Sequence, residues 1–234
     1  MKNKILLAIL AIALVFGMTA CSNGGGGSDN NTTKDDSSSG GLVGTIVSEV
    51  TVDYNQAYFS STADMNEAKN KTNFGYLTEL PSNIVPLSKV INEPASVTVN
   101  NGKVTIKLGT PKIEYLRTYD EYITNSAKFL ILSSMDEVSN FISSDGKYLL
   151  YCMKDLNNCA TLIYTDRDST IKEGFASYGD FEGSNSVSIK KGWNYFIVSI
   201  NKAAKTITAT SSTTLPVGFK WTVINWETLE EELL

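Results

Sequence analysis

Apolar and polar residues alternate along much of the chain from residue 42 onwards, as they do in strands with one buried face. Residues 42–54 alternate in this way and are rich in β-branched side chains. The clearest pattern spans residues 95–108, where two alternating runs flank Asn101 and Gly102. Asn-Gly is the preferred pair for a two-residue hairpin turn, because both positions tolerate positive φ. The sequence therefore predicts a strand at 42–54 and a tight hairpin at 95–108.

Similar alternation, punctuated by Gly, Pro, Asn and Asp, predicts further strands at residues 74–80, 148–152, 159–164, 193–200, 206–210 and 219–226. Many short strands with turn signals between them are typical of a sandwich. We therefore expect a mainly β domain over residues 42–234, an antiparallel β-sandwich of immunoglobulin-like or jelly-roll-like form. The pattern of residues 96–102 recurs at 186–192, which leaves open a division into two halves, about 42–115 and 116–234.

One region departs from the β pattern. Residues 119–143 contain Ser134 followed three residues later by Glu137, a pairing that caps helix N-termini. We predict one or two short helices between residues 119 and 143, with a strand at Ile131 and Leu132 as the alternative. Residues 66–73 are polar and predict a loop or a short helix.

The first twenty residues have the organisation of an export signal. Lys2 and Lys4 precede an unbroken apolar run over residues 5–16, and small residues follow up to Cys21. A basic start, a short apolar core and a small-residue cleavage site are typical of a secretory signal peptide. The apolar run is shorter than the roughly 20 residues that a membrane-spanning helix needs. We predict a signal peptide over residues 1–20.

The residues around Cys21 narrow the kind of signal. Met18-Thr19-Ala20-Cys21 resembles the lipobox of bacterial lipoproteins, which usually reads Leu-Ala/Ser-Gly/Ala-Cys. The resemblance implies that the Cys21 thiol receives a diacylglycerol, that the peptide is cut before Cys21, and that the new amine is acylated with a fatty acid such as palmitate. Several acyl chains anchor a protein durably. An ordinary secretory signal and an uncleaved membrane anchor are the alternatives.

A polar segment separates Cys21 from the predicted domain. Residues 22–41 contain no apolar side chain. Such a segment cannot bury enough surface to offset its ordering entropy, so it predicts a flexible tether. Random-coil scaling gives this tether a span on the order of 25 Å. Ser22 is not the aspartate associated with inner-membrane retention in some bacteria, which favours the outer membrane without deciding its face.

Charge and composition exclude several functions. The chain carries a formal charge of −5 and no basic run, so it lacks the electrostatic footprint of nucleic-acid binding. It contains no histidine, which excludes Ser-His-Asp and Cys-His catalysis and histidine-based metal sites. Acidic residues are plentiful, so a carboxylate pair for glycoside hydrolysis stays open, but no motif places two of them around a cleft. A hydrolase is therefore the weaker alternative.

Cys152 and Cys159 are the cysteines left when Cys21 is assigned to the lipid. An even number of cysteines in an exported protein indicates a disulfide. The two residues flank a turn between two predicted strands, so a bridge between them would close a hairpin. Two reduced thiols that pack in the interior are the alternative.

A candidate calcium site comes from four carboxylates near one predicted strand end, Asp166, Asp168, Asp180 and Glu182. Calcium prefers oxygen ligands of this kind, although the complete calcium-loop pattern is absent. The alternative is a solvated strand end in which Arg167 or Lys172 supplies the counter-charge.

Aromatic residues form a second candidate binding site. Tyr178 and Phe181 lie in a glycine-rich loop, and Trp193 follows that loop in the sequence. Together with Trp221 and Trp226, they would offer a platform to a sugar or a peptide, because aromatics exposed together are often functional. The alternative is that Trp193 and Trp221 fill the core between sheets.

A second resemblance lies in two segments of the predicted domain. Residues 162–172 and 188–194, the latter reading Ser-Ile-Lys-Lys-Gly-Trp-Asn, resemble segments of uncharacterised bacterial lipoproteins. This resemblance implies a β-sandwich-like extracytoplasmic domain and no known activity. Anchor, tether and β domain together predict a cell-envelope protein that binds or scaffolds a glycan or protein partner. A carbohydrate- or calcium-dependent ligand-binding protein is the alternative, and Ca²⁺ would be its cofactor.

Overall fold

The computed structural model describes residues 46–79, 83–85, 87–92, 95–131, 141–155, 157–173, 181–183, 185–225 and 228. Within these ranges the chain is mainly β and sandwich-like, as the sequence predicts. The first eight strands are β1 Ile46–Asp53, β2 Asn73–Glu79, β3 Asn83–Val85, β4 Ala95–Asn100, β5 Lys103–Leu108, β6 Arg117–Thr118, β7 Lys128–Ile131 and β8 Phe141–Ser143. The other eight are β9 Tyr148–Asp155, β10 Asn158–Thr165, β11 Ser169–Ile171, β12 Glu182–Gly183, β13 Val187–Ile189, β14 Gly192–Asn201, β15 Thr206–Ser212 and β16 Lys220–Asn225. The helices are α1 Thr62–Lys69 and α2 Leu87–Val90.

The hairpin predicted at residues 95–108 is confirmed. β4 and β5 pair antiparallel along their whole length, with Asn100 opposite Lys103 at the turn. Asn101 and Gly102 adopt φ angles of 49° and 70°, which are the positive values that this turn requires. The alternating apolar residues of both strands point into the core, where Val97, Val99, Val104 and Ile106 are buried.

Among the described strands, seven close into a ring, because β8 pairs with both β2 and β9. The other neighbours around this strand ring run β9–β16–β1–β5–β4–β2. All of these pairs are antiparallel except β1 with β16, which is parallel. The inner faces of the strand ring enclose the larger core, whose members include Val52, Phe74, Leu150, Trp221 and Val223.

The sheet continues from β9 beyond the strand ring. β10 pairs with β14 along its whole length, and β15 pairs with β14 on the other side. We call these three strands the extension. One face of the extension joins the larger core, and its other face lies under the two-stranded sheet of β11 and β13. The second core between these layers includes Ile163, Ile171, Val187, Ile189, Phe196 and Val198.

The sheet curls strongly where the extension meets the strand ring. The ring centroids of Tyr195 on β14 and Trp221 on β16 lie 6.5 Å apart, although β10 and β9 lie between these strands. In a flat sheet the backbones of β14 and β16 would be about 14 Å apart. On the inner face, Cys152 lies beside Trp221 and Leu162 lies opposite Tyr195.

Of the short helices predicted at residues 119–143, the described part up to residue 131 contains one 3-10 helix, Thr124–Ser126. Residues 124–126 form a 3-10 turn with a φ of 56° at Asn125, which an α-helix does not accommodate. The next residues form β7, which pairs with β10, so Ile131 belongs to the alternative strand. The predicted cap at Ser134 and Glu137 lies outside the described residues. A helix does occupy the first part of residues 66–73, because α1 extends to Lys69.

Both halves of the domain contribute to the strand ring. β1, β2, β4 and β5 precede residue 116, whereas β8, β9 and β16 follow it. The larger core likewise contains residues from both halves. The repeated pattern at residues 186–192 does not form a second hairpin, since β13 pairs with β11 rather than with β14. The described sheet therefore crosses the suggested boundary near residue 115.

The predicted disulfide is wrong, because Cys152 and Cys159 are both free and buried. A bulge between Asn158 and Cys159 sets the register so that Cys159 faces Met153 and Ala160 faces Cys152. Successive side chains of a strand point to opposite faces. Cys152 therefore lies in the larger core, while Cys159 belongs to a third cluster on the outer face of the strand ring. Sulfur atoms on opposite faces of a sheet do not have the geometry of a bridge.

We expect two free thiols in a Cys21→Ala protein that is purified without reductant and unfolded in denaturant. In the native protein both should react more slowly by orders of magnitude. Burial raises the pKa of Cys152 and raises that of Cys159 to about 12, and the thiolate is the reactive form. Titration with Ellman's reagent measures both quantities. A Cys159→Ser variant of this protein should give one thiol. A count of zero in the Cys21→Ala protein would show instead that Cys152 and Cys159 form a disulfide.

Candidate functional site

The predicted aromatic platform is not formed by Trp193. Its side chain is 1% exposed, and its indole Nε1 donates a hydrogen bond to the carbonyl oxygen of Gly109 at 2.9 Å. Its ring packs edge-on against Tyr164 at a centroid distance of 5.5 Å. Trp221 is buried in the same core. Both tryptophans therefore lie in the core, and Trp193 is not part of an exposed surface.

The rest of the aromatic set gives no exposed cluster within the described residues. Phe181 is half-buried, and its apolar ring packs against the second core. Tyr178 and Trp226 lie outside the described residues. Among the described residues, therefore, no two members of the predicted platform are exposed together.

The carboxylates of the predicted calcium site have separate partners. Asp166 Oδ1 accepts a hydrogen bond from the backbone N–H of Lys128 at 2.9 Å, and Oδ2 forms an ion pair with Arg167 at 3.0 Å. Asp168 accepts from the Lys190 ammonium at 2.9 Å and from the Lys191 backbone N–H at 2.8 Å. Both residues lie in the turn between β10 and β11, outside the strands themselves. This is the predicted alternative of a charge-paired strand end.

Glu182 is exposed on β12, and Asp180 lies outside the described residues. No group of three or more Cys, Asp or Glu side chains in the described part of the chain lies close enough to hold a metal ion. The three described members of the calcium set therefore do not meet, and the calcium interpretation loses its geometric basis.

A different polar cluster lies at one end of the strand ring, around Asp64 of α1. Ser61 caps this helix, because its hydroxyl oxygen accepts a hydrogen bond from the Asp64 backbone N–H at 3.1 Å. The cap places Asp64 in the first turn, where its carboxylate turns inward and its side chain is 4% exposed. A carboxylate so deeply buried needs charged or hydrogen-bonding partners.

Asp64 has a complete set of partners, drawn from three separate segments. Its carboxylate accepts hydrogen bonds from the Tyr148 hydroxyl at 2.6 Å and from the Asn225 amide at 2.6 Å. It pairs with the Lys147 ammonium at 3.0 Å and accepts from the backbone N–H and hydroxyl of Ser60, each at 3.1 Å. Burial alone raises the pKa of Asp64, but the bonds from Tyr148, Asn225 and Lys147 outweigh it and hold the pKa well below its usual range.

Charged side chains surround this carboxylate at the protein surface. Lys147 also pairs with Glu67 at 3.2 Å, and Lys71 pairs with Glu67 at 3.3 Å and with Asp145 at 2.5 Å. The two ammonium groups lie over the ring of Tyr148, 5.1 Å and 5.6 Å from its centroid. Burial and the neighbouring Asp64 carboxylate raise the pKa of Tyr148, so its hydroxyl remains a proton donor.

The Asp64 cluster is a structural link between separate segments of the fold. Asp64 is ionised and saturated with donors, the pKa of Lys147 is raised by its bonds to Tyr148 and Asp64, and Tyr148 keeps its proton. None of the three groups is poised to exchange a proton near neutral pH. The cluster instead fastens α1 to β9 and β16 across the end of the strand ring.

Sequence reasoning did not single out Asp64. Its main partners, Tyr148 and Asn225, lie 84 and 161 positions away in the chain, a separation that no local pattern reveals. The one local signal is the cap formed by Ser61, three residues before Asp64. That signal marks the start of a helix and says nothing of the burial of the carboxylate.

Comparison of the chain with protein-family models, with curated proteins and with solved structures gives no match. Among the described residues, no helix has the length and apolar character that crossing a bilayer requires.

Replacing Asp64 with Asn should lower the free energy of unfolding at pH 7 by about 3 kcal/mol, because five hydrogen-bond donors lose their charged acceptor. The folded-state pKa of Asp64 is lowered, so its stabilisation is present above the pKa of the unfolded chain, near 4. It is lost as the pH falls through the folded-state pKa. Urea denaturation should therefore show the largest deficit at pH 7 and a smaller one below pH 4.

Glu67→Gln is the matched control for Asp64→Asn. It makes the same chemical change in the same cluster, but the Glu67 side chain is 49% exposed, and exposed ion pairs contribute little. Its urea midpoint should stay near that of the parent protein. Equal losses of stability in the two variants would show that the buried Asp64 carboxylate contributes no more than the exposed Glu67 carboxylate.

Proposed function

We propose that this protein is a lipid-anchored component of the bacterial cell envelope, held by Cys21 and presenting a rigid β domain to a protein or glycan partner. The observation that carries the proposal is the lipobox-like Met18-Thr19-Ala20-Cys21, which follows a basic start and a short apolar run. The apolar-free residues 22–41 then supply a tether. Lipid provides the attachment, the tether provides reach, and the domain makes the contact.

The path of β1 supports a particular orientation of the domain. Ile46, the first residue of β1, pairs with Lys107, and Val52 near its end donates to the Gly102 carbonyl in the β4–β5 turn. β1 is eight residues long, so its two ends are about 25 Å apart. β1 therefore begins at one end of the strand ring, and α1 lies at the other.

The end of the strand ring opposite Ile46 is the α1 end, which we define as α1, the β8–β9 turn at residues 144–147 and the β4–β5 turn at residues 101–102. It carries partly exposed charges of both signs, with side-chain exposures of 49% for Glu67, 37% for Asp145 and 32% for Lys147. Fixed charges on a rigid scaffold favour specific contact over non-specific attraction. We propose that the α1 end is the contact surface.

Lipid attachment is tested by feeding cells an alkyne fatty acid and examining the purified protein. The wild type should carry the label and be smaller than its precursor, whereas Cys21→Ala should be unlabelled and retain residues 1–20. Cys159→Ala is the matched control, since it removes a thiol that is buried in the domain and should leave the label intact. Absence of label from the wild type would contradict the proposal.

The orientation is tested by photo-crosslinking in intact cells. A photoreactive residue replaces either Asn66, which is exposed on α1, or Thr110, which is exposed beside the opposite end of β5. Asn66 should give discrete adducts with an envelope component, because it lies at the α1 end, and Thr110 should give none. Adducts from Thr110 alone, or equal adducts from both positions, would contradict presentation of the α1 end.

A further inference from the structure

β15 is a strand whose composition favours pairing with further strands. Its seven residues, Thr-Ile-Thr-Ala-Thr-Ser-Ser, include no charged residue, no proline and no glycine. Segments of this length with high β propensity and low charge readily pair with strands of other chains. Natural proteins usually protect such a strand with a charge, a proline or a bulge. β15 has neither a charge nor a proline, and its register with β14 runs without a bulge, so its protection has to come from another part of the chain.

β15 has one complete neighbour in the sheet and one incomplete neighbour. It pairs with β14 over its whole length, from Thr206 to Ser212. On the other side, β12 pairs only with Thr206 and Ile207. Within the described residues, no strand continues this pairing beyond Ile207. The edge of β15 from residue 208 onwards therefore needs another source of hydrogen-bonding partners.

The side chain of Asn185 supplies these partners at the middle of the edge. Its Oδ1 accepts a hydrogen bond from the Ala209 backbone N–H at 2.9 Å, and its Nδ2 donates to the Ala209 carbonyl oxygen at 2.5 Å. A neighbouring strand would present the same acceptor and donor from its backbone. Asn185 follows Gly183 of β12 by two positions, so its amide continues the ladder that β12 begins.

Two further contacts cover the edge on either side of Ala209. The Glu182 backbone N–H donates to the Lys205 carbonyl oxygen at 3.1 Å, and the Ser211 hydroxyl donates to the Ser188 carbonyl oxygen. We give the name edge cover to Glu182, Gly183, Asn185 and Ser188. The edge cover follows β15 along most of its length, but at Ala209 it depends on a single side chain.

We propose that Asn185 guards the edge of β15 against strand addition by a second copy of this chain. Loss of its amide would free the Ala209 N–H and carbonyl for an incoming strand. A second β15 suits this position, because its edge would be freed in the same way and two identical edges are self-complementary in an antiparallel pair. The exposed Thr208 and Thr210 carry no charge that would repel it. β12 is two residues long, so an incoming strand has little pairing to displace.

Amide hydrogen exchange tests the guarding bond, first in the wild type. The Ala209 N–H should be protected there, because the Asn185 carbonyl accepts it. In Asn185→Ala this protection should be lost, whereas the β15 amides that face β14 should keep theirs. Rapid exchange of Ala209 in the wild type would overturn the proposal. Loss of protection throughout β14 and β15 in the variant would also contradict it, since Asn185 would then support the fold rather than guard an edge.

Native mass spectrometry of the full-length protein in detergent counts its protomers. Asn185→Ala should form dimers or larger species that the wild type does not form at the same concentration. Asn201→Ala is the matched control, because Asn201 Oδ1 accepts from the Ala204 backbone N–H at 3.0 Å in the β14–β15 turn. It removes a similar bond away from the edge and should keep the wild-type protomer number. An unchanged protomer number in Asn185→Ala would refute the guarding role.

A second substitution separates edge pairing from association through another surface. Thr210→Lys places a charge on the exposed face of β15, and two such charges would repel each other in a pair of identical strands. The Asn185→Ala protein that also carries Thr210→Lys should therefore return to the wild-type protomer number. Association that persists in this double variant would show that a surface other than the β15 edge is responsible, and the proposal would be wrong.

Discussion

The buried Asp64 carboxylate is the interaction on which one end of the fold depends. It joins the start of β9, through Lys147 and Tyr148, to the last residue of β16, Asn225. It also holds α1 over the interior that these strands enclose. A charge in this position is costly unless every lone pair finds a donor. The donors are present, so the carboxylate stabilises the one arrangement in which all three segments meet.

Closure of the strand ring explains why the anchor lies where it does. β8 has three residues, yet it pairs with β2 on one side and with β9 on the other. The short turn after β8 brings Asp145 and Lys147 to the end of the strand ring, where the Ser143 hydroxyl bonds to both Asp145 and the backbone N–H of Tyr148. One compact turn thus completes the sheet and supplies the charges that surround Asp64.

The sequence predicted the elements whose causes are local. The β4–β5 hairpin follows from alternation around Asn101 and Gly102, and β14 and β16 follow from alternation alone. It failed where partners distant in the chain decide the outcome. The segment that becomes β7 carries the mixed apolar spacing of a helix, but it is a strand because β10 offers it an edge. Position 125 confirms this locally, since its positive φ ends any continuous helix.

The candidate sites likewise show that residue types can be read locally, whereas their partners depend on distant parts of the chain. The tryptophan at position 193 was predicted both as a platform and as a core residue, and only its indole bond to Gly109 decides between these. Acidic residues near positions 166 and 168 were easy to find, but their partners come from β7 and the β13–β14 turn. The Asp64 anchor has no recognisable local pattern, because its partners enter from the middle and the end of the chain.

Cys152 shows how packing, rather than bonding, accounts for a residue whose type suggests reactivity. Its side chain lies on the inner face beside Trp221, where the sheet curls between β16 and β14. A thiol is small and apolar, and cysteine is among the most buried residue types when it is not bridged. The bulge before Cys159 then turns the second sulfur to the outer face. Each thiol thus packs in a cluster of its own, one on each face of the sheet.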